Sequence, residues 1–349
     1  AKAGASEAFS RLAGSTLRVG YDSIWNRNPY NIPVGNDNGV FSGQNRTDWF
    51  SHLHAANGNS GTPLKGALQR AGEYFSDASA TGPWGPLTGD DQLSCRQNFA
   101  ILTTDGYWND NSGYDDPVGD ADKEAGPTIL GPSDASYTYA PERPYIDNFS
   151  GRNDTRGNTL ADVAMHYWKR DLVSTLENNV PTSLNDPAFW QHMVTFGVSI
   201  GLQGRLNPNV DLVSITNGSK RWGDPTDNED ADRIDDLWHA AVNGRGDFVA
   251  AKDPNEFAQA MVDALKTVAA RLGSASNVTA NSTSFSTDSR VYQATYVSGQ
   301  WVGELAAYDA SEAGLAPEPA WRASPQIAYA GRKGFTWTGT AGAAFPPAG

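Results

Sequence analysis

The run Gln97-Asn98-Phe99-Ala100-Ile101-Leu102-Thr103-Thr104-Asp105-Gly106-Tyr107-Trp108 constrains the fold more than any other stretch. An apolar segment of strand length stops abruptly at Asp-Gly. At the carboxyl end of a buried strand, Asp105 would project into the crevice where open α/β sheets place their ligands. Gly61-Thr62-Pro63-Leu64 precedes this run. From a loop at the same edge, Thr62 would offer a second hard oxygen to a cation.

The surrounding periodicities alternate between the two types of element. Residues 1–13 are Ala-rich and helical in character, and Leu17-Arg18-Val19-Gly20-Tyr21-Asp22-Ser23-Ile24 alternates as a strand does. Residues 25–60, rich in Asn and Gly, read as loop. Thr62 then caps a helix with Pro63 at its first position and a stripe of Leu64, Ala67, Leu68, Ala71 and Phe75. A helix is expected over 159–172, a buried strand over Met193–Ile200, and a helix around Ile234, Leu237, Trp238, Ala241 and Val242. Phe248-Val249-Ala250-Ala251 reads as a short strand. The helix from 254 has Asp253 as cap, Glu256 completing a capping box, and Gly273 as stop. The fold class expected is α/β, a doubly wound, mainly parallel sheet spanning 1–275. Long polar insertions at 107–157 and 203–231 are expected to decorate its periphery. From 276 to 349 the texture turns β-rich, with a hairpin about Ser298-Gly299.

At 349 residues and 39% hydrophobic, the chain can bury a substantial core, and its 36 Gly and 20 Pro imply long irregular segments. A net charge of −14 argues against nucleic acid as partner and suits a surface protein or one holding divalent cations. No apolar run reaches the roughly 18 residues that span a bilayer. With one cysteine, Cys95, no intrachain disulfide can form. Cys95 is expected as a small buried hydrophobe beside the strand at 97–104 or paired outside this segment. The chain opens on Ala1-Lys2-Ala3-Gly4-Ala5 without initiating Met or signal region, which leads us to expect a segment of something larger.

Other polar groupings qualify as candidates. Asn109, Asp110, Asn111, Asp115, Asp116, Asp120 and Asp122 could wrap calcium, with Asn109, Asn111 and Asp115 as a calcium loop, but they lack EF-hand glycine and glutamate placement. Asp224, Asp227, Glu229, Asp230 and Asp232 form a similar acidic run. Arg245-Gly246-Asp247 spells an integrin-recognition tripeptide between a helix and a buried strand. His52 and His54 are expected on a surface loop. There is no Gly-x-Ser-x-Gly elbow, no His-Glu-x-x-His and no phosphate loop, so catalysis has no motif behind it.

The Thr62 and Asp105 elements resemble the later two parts of the metal-ion-dependent adhesion site of von Willebrand factor A domains. The likeness extends to Cys95-Arg96-Gln97-Asn98-Phe99, Thr104-Asp105-Gly106-Tyr107-Trp108-Asn109 and Ile234-Asp235-Asp236-Leu237-Trp238-His239-Ala240-Ala241-Val242-Asn243-Gly244-Arg245-Gly246. It also takes in Trp301-Val302-Gly303-Glu304-Leu305 and Trp321-Arg322-Ala323. Together they resemble the bacterial type IV pilus tip-associated adhesins, the PilC/PilY family. That resemblance implies a von Willebrand factor A-like domain over 1–275 and, in 276–349, the approach to a β-propeller absent from this sequence. It implies non-enzymatic roles in pilus assembly, retraction control and attachment, outside the cell at the pilus tip after export through periplasm and outer membrane. Minor pilins and a host or abiotic surface would be partners.

One departure bears on metal. The adhesion-site pattern Asp-x-Ser-x-Ser does not occur, so the first strand is expected to be missing or upstream. Thr62 and Asp105 alone would hold Mg²⁺ or Ca²⁺ weakly, so this segment is expected to bind none tightly. The alternative reading is a metal-assisted hydrolase, or a generic metal-dependent surface ligand-binding domain, using the same crevice.

Overall fold

The structure, a computed structural model, describes residues 1–12, 17–25, 29–58, 61–109, 111–147, 156–183, 185–227, 229–273, 278–280, 290–297, 302–311, 314–315, 319–326, 334–337 and 342–345. The chain divides into two units, Ala1–Arg271 and Leu272–Gly349. In the first lie α1 (Lys2–Ser10), α2 (Gly43–Ala55), α3 (Leu64–Phe75), β1 (Asn98–Thr104), β2 (Ile129–Leu130), β3 (Ser136–Tyr137) and α4 (Leu160–Trp168). They are followed by β4 (Met193–Ile200), α5 (Asp211–Thr216), α6 (Asp230–Asn243), β5 (Arg245–Ala251) and α7 (Pro254–Gly273).

The three longer strands form a parallel sheet in the order β1-β4-β5. Strand β4 is central and almost wholly buried because its two faces serve different layers. Val194, Phe196 and Val198 point to one side, where α7 packs through Phe257, Met261, Ala264, Leu265 and Val268, joined by α1 and α2. Met193 points to the other, against α3, α4 and α6 through Leu64, Leu68, Leu160, Val163 and Leu237. Two-residue periodicity on the strand thus meets helical stripes from both sides, as a doubly wound α/β fold requires. Gly197 sets the approach of α6: a Cβ there would lie 3.1 Å from Leu237 Cγ and 3.1 Å from the Leu237 carbonyl.

Helix α7 is capped by Asp253 as expected, while Glu256 reaches one residue past the cap, to Lys252, instead of closing a capping box on Asp253 N. Asp253 accepts from Asn255 N at 2.7 Å and Glu256 N at 3.0 Å, and Glu256 reaches back to Lys252 N at 2.7 Å. Three further expectations need correction. Residues 17–24 form no strand; their β-pairing among the described residues is two isolated bridges, Arg18–Val40 and Tyr21–Tyr30. The alternation instead lets Leu17, Val19 and Tyr21 touch the core while Arg18 donates to the carbonyls of Asn38, Pro83 and Gly85. Helix α2 occupies part of the expected loop at 25–60. Its stripe is only Asn45, Trp49 and Leu53, too sparse to register as apolar periodicity, and it is fastened by Trp49 Nε1 to the Gly20 carbonyl at 3.0 Å. Thr62 makes no cap bond; Pro63 stands at the N-cap of α3.

The insertions are embedded rather than decorative. The first supplies Ile129 and Tyr139 to a buried cluster with Met165, Trp168, Ala188 and Trp190. The second supplies Ile215 and Trp222, which pack on Trp238. Asp186 knots the first cluster, accepting from Trp168 Nε1 at 3.1 Å, His192 Nε2 at 3.0 Å and Arg271 Nη1 at 3.4 Å.

In the second unit, β6 (Val278–Ala280), β7 (Arg290–Val297), β8 (Val302–Ser311), β9 (Gly314–Leu315) and β10 (Trp321–Arg322) form one antiparallel sheet. Strands β11 (Gly334–Trp337) and β12 (Gly342–Phe345) form a separate ribbon. The expected hairpin is present as the β7–β8 pair, while its turn at Ser298-Gly299 lies outside the described residues. Glu304 on β8 accepts from Ser324 N at 2.9 Å, which ties two of the sequence motifs together.

Two outcomes are expected. Leu237→Ala, at a fully buried side chain, should cost about 2–5 kcal/mol in urea unfolding, since the site sits between a helix and a sheet and cannot collapse. Burial opposes ionisation of Asp186, but the charge and hydrogen bond of His192, the Trp168 indole and Arg271 outweigh it and bring its pKa from 3.8 to about 2. A depressed carboxylate contributes stability that is present above its unfolded pKa and lost as pH falls toward the folded one. The stability gap between the native chain and Asp186→Asn should therefore shrink by about 2 kcal/mol between pH 5 and pH 2, measured by urea unfolding at each pH.

Candidate functional site

At the carboxyl end of β1 the chain turns sharply. Thr104 Oγ1 accepts from Gly106 N at 3.1 Å and donates to the Gly106 carbonyl at 2.8 Å, which fixes the corner and leaves Asp105 exposed. The loop before α3 comes to the same place. Thr62 N donates to Asn109 Oδ1 at 3.1 Å, and Thr62 Oγ1 lies 3.0 Å from where a Cβ on Gly106 would be. Thr62 and Asp105 are therefore brought to one edge of the sheet, as their spacing suggested. They offer two hard oxygens, short of the six or more that Mg²⁺ or Ca²⁺ takes, so these two alone do not make a complete cation site.

Directly behind this edge, α6 carries two buried carboxylates that organise the backbone around it. Asp236 accepts from Leu160 N at 3.0 Å, Ala161 N at 3.1 Å and Trp108 Nε1 at 3.0 Å. Asp162 N, the next donor of α4, goes to Thr159 Oγ1 at 3.1 Å, and Asp162 returns a capping-box bond to Thr159 N at 2.9 Å. The first turn of α4 is thus satisfied by a carboxylate from another helix and by its own cap. Burial pushes Asp236 up to about 6 against the hydrogen bonds that favour its charge. Asp235 accepts from Arg205 N at 3.2 Å and Leu206 N at 3.2 Å, so it fastens the second insertion. His239 stacks on Trp222 at 4.2 Å and donates to the Tyr145 carbonyl at 2.6 Å. Burial lowers it to about 3, so it is neutral at physiological pH. The Asp-Asp-Leu-Trp-His run is a fastening hub for both insertions.

At the first turn of α4, two more carboxylates converge on Asp162. Asp120, Asp122 and Asp162 each bring one oxygen within 4.8 Å of the others, and Asp122 and Asp162 are fully buried. Asp122 N donates to Asp162 Oδ1 at 3.2 Å. Among the described residues, Oδ1 of Asp120, of Asp122 and of the buried Asp147 has no hydrogen-bond partner. Burial, then the charges of Asp162, Asp147 and Asp120, raises Asp122 far above the carboxylate range. Burial and Asp162 push Asp147 up to about 8, and burial pushes Asp162 up to about 7 against its bonds from Thr159.

Other sequence candidates separate. Asn109 is engaged with Thr62, Asn111 is exposed, and Asp115 N is held by Gln69 Oε1 at 3.0 Å, while Asp110 lies outside the described residues. Of the acidic run at 224–232, Asp224 pairs with Arg156 at 2.9 Å and Asp232 with Arg205 at 3.1 Å. Arg245 is buried, its guanidinium 3.7 Å from the Tyr145 ring centre and 3.6 Å from that of Trp168. A Cβ on Gly246 would run into the Thr195 carbonyl, so glycine is there for the close approach of β5 to β4. The Arg245-Gly246-Asp247 tripeptide is therefore not displayed as a free recognition loop; only Asp247 faces outward in part, within bonding distance of Thr267 at 3.4 Å. His52 and His54 sit on α2 rather than a loop, with His52 Nδ1 3.0 Å from the Asp48 carbonyl and His54 Nε2 2.9 Å from Ser6 Oγ. Cys95 is exposed, contrary to the buried position expected, because it precedes β1 in a turn rather than lying beside it. Sequence reading missed Asp162, whose signal was a Thr-x-x-Asp capping pattern and a lone acid inside an apolar helical stripe.

The chain is 33% identical over 302 aligned residues to the type IV pilus biogenesis factor PilY1 of Pseudomonas aeruginosa strain PAO1, a match taking in 77% of this chain. Over these residues the chain is PilY1-like. It is 32% identical over 302 residues to PilY1 of strain PAK, and 30% identical over 301 residues to PilY1 of strain UCBPP-PA14. The chain spans about a quarter of the length of these curated relatives. No family model matches it, and no solved structure does. Among the described residues no helix of this PilY1-like chain is long and apolar enough to cross a membrane.

Removal of the Asp236 carboxylate should be costly. Asp236→Ala strands two buried helix N–H groups and removes the partner of the half-buried Trp108 indole, and a loss of about 3 kcal/mol is expected in urea unfolding. Asp236→Asn, which keeps one acceptor oxygen, should lose less.

Proposed function

We propose that this chain is a von Willebrand factor A-like, non-enzymatic module of a type IV pilus tip protein, acting in pilus assembly, retraction control and surface attachment. The observation that carries the reading is the 33% identity over 302 residues to a protein named as a type IV pilus biogenesis factor. The placement of Thr62 beside the Asp105–Gly106 corner, at the ligand edge of a doubly wound sheet, supports that edge as the recognition face. On this reading the module works outside the cell at the pilus tip. Minor pilins are its assembly partners, a host or abiotic surface is its target, and neither a nucleic acid nor a membrane span is involved. Mg²⁺ or Ca²⁺ would assist at the edge only with further oxygens beyond Thr62 and Asp105.

The test is complementation of a strain lacking its own PilY1-like protein with the full-length protein carrying Thr62→Ala and Asp105→Ala together. Asp105 is exposed and Thr62 partly so, hence folding should be retained, checked by circular dichroism and thermal melting of the purified chain. Surface attachment should fall several-fold while the protein remains present at wild-type abundance. Wild-type attachment and motility by the folded double variant would remove the edge from the mechanism, and full piliation without any copy of the protein would remove the pilus role.

A further inference from the structure

We propose that Asp120, Asp122 and Asp162 form a calcium site that staples the first insertion to the amino-terminal turn of α4. The site is distinct from the Thr62–Asp105 edge and stands whether or not the pilus reading holds. Its three carboxylates present oxygens within 4.8 Å of one another, a spacing that a cation coordinating at 2.3–2.6 Å can bridge. A second observation points to a ligand. Asp122 is completely buried, and its Oδ1 has no hydrogen-bond partner among the described residues.

Two lysines near the patch, Lys169 and Lys65, are turned to backbone carbonyls. Lys169 Nζ donates to the carbonyls of Ala121 at 2.5 Å and Glu124 at 2.7 Å, and Lys65 Nζ donates to the Asn158 carbonyl at 3.1 Å. His239 approaches Asp122 only to 3.7 Å. Buried carboxylates without paired cations are retained at a cost unless a metal neutralises them. Several carboxylates in one dry pocket suit Ca²⁺, which accepts six to eight oxygens in loose geometry. Mg²⁺ demands a strict octahedron and keeps much of its water. Asp120 is half-buried and gives the ion its way in.

The experiment uses the whole 349-residue chain, stripped with chelator and titrated with CaCl₂ and, separately, MgCl₂ by calorimetry, with thermal melting alongside. One calcium per chain is expected, with a dissociation constant of ~100 μM or tighter, a raised melting temperature, and magnesium at least tenfold weaker. Asp120→Asn, which removes no helix cap, should weaken calcium at least tenfold while leaving the chelated protein's melting temperature near the native value; Asp122→Asn should do the same if it folds. Thr62→Ala with Asp105→Ala should leave calcium affinity unchanged. Absence of calcium binding at millimolar concentration overturns the proposal. So does binding that survives Asp120→Asn, binding that disappears with Thr62 and Asp105 instead, or equal affinity for magnesium.

Discussion

Two adjacent carboxylates on one helix satisfy the backbone of two neighbouring segments at once. Asp236 collects the first N–H groups of α4 and the Trp108 indole, and Asp235 collects the backbone of the second insertion. A parallel sheet of three strands leaves long excursions between its elements, and excursions without backbone partners would carry orphaned polar groups. Here buried charge replaces a sheet ladder as the means of satisfying them. Desolvating those carboxylates is costly, as the upward push on both shows, and the fixed donors aimed at them offset the cost.

The regular part of the fold was legible because its signals are local. Strand β4 announces itself by Val and Ile content, and α7 by a capping pattern followed by a clean stripe. Asp105 was legible too, since an acid that ends an apolar strand has few other places to point. Residues 17–24 misled because two-residue alternation reports which side chains face inward, and an irregular chain pinned by Arg18 does that as well as a strand. Helix α2 was hidden for the converse reason. It is held by Trp49, Leu53 and a buried Asn45 that bonds the preceding loop, so tertiary contacts rather than amphipathicity specify it.

The polar candidates were harder, because a sequence lists acids without saying which ones meet. Asp120 and Asp122 stood in a recognisable acidic loop, but Asp162 comes from an apolar helix. Only folding of the insertion back over α4 collects them. The Arg245-Gly246-Asp247 tripeptide shows the opposite error, in which a legible word has a structural meaning. Its arginine is filling between two aromatic rings and its glycine makes room for Thr195.

The exposed turn before β1 gives the molecule a useful asymmetry. Cys95 is the sole thiol in the chain, it faces solvent, and it sits at the opposite end of β1 from Asp105. A maleimide dye or spin label would therefore attach at one defined point, with no engineered cysteine and no native one to remove. A probe there stands a strand's length, roughly 20 Å, from the ligand edge. That is close enough to sense occupancy of the edge by energy transfer and far enough not to obstruct it.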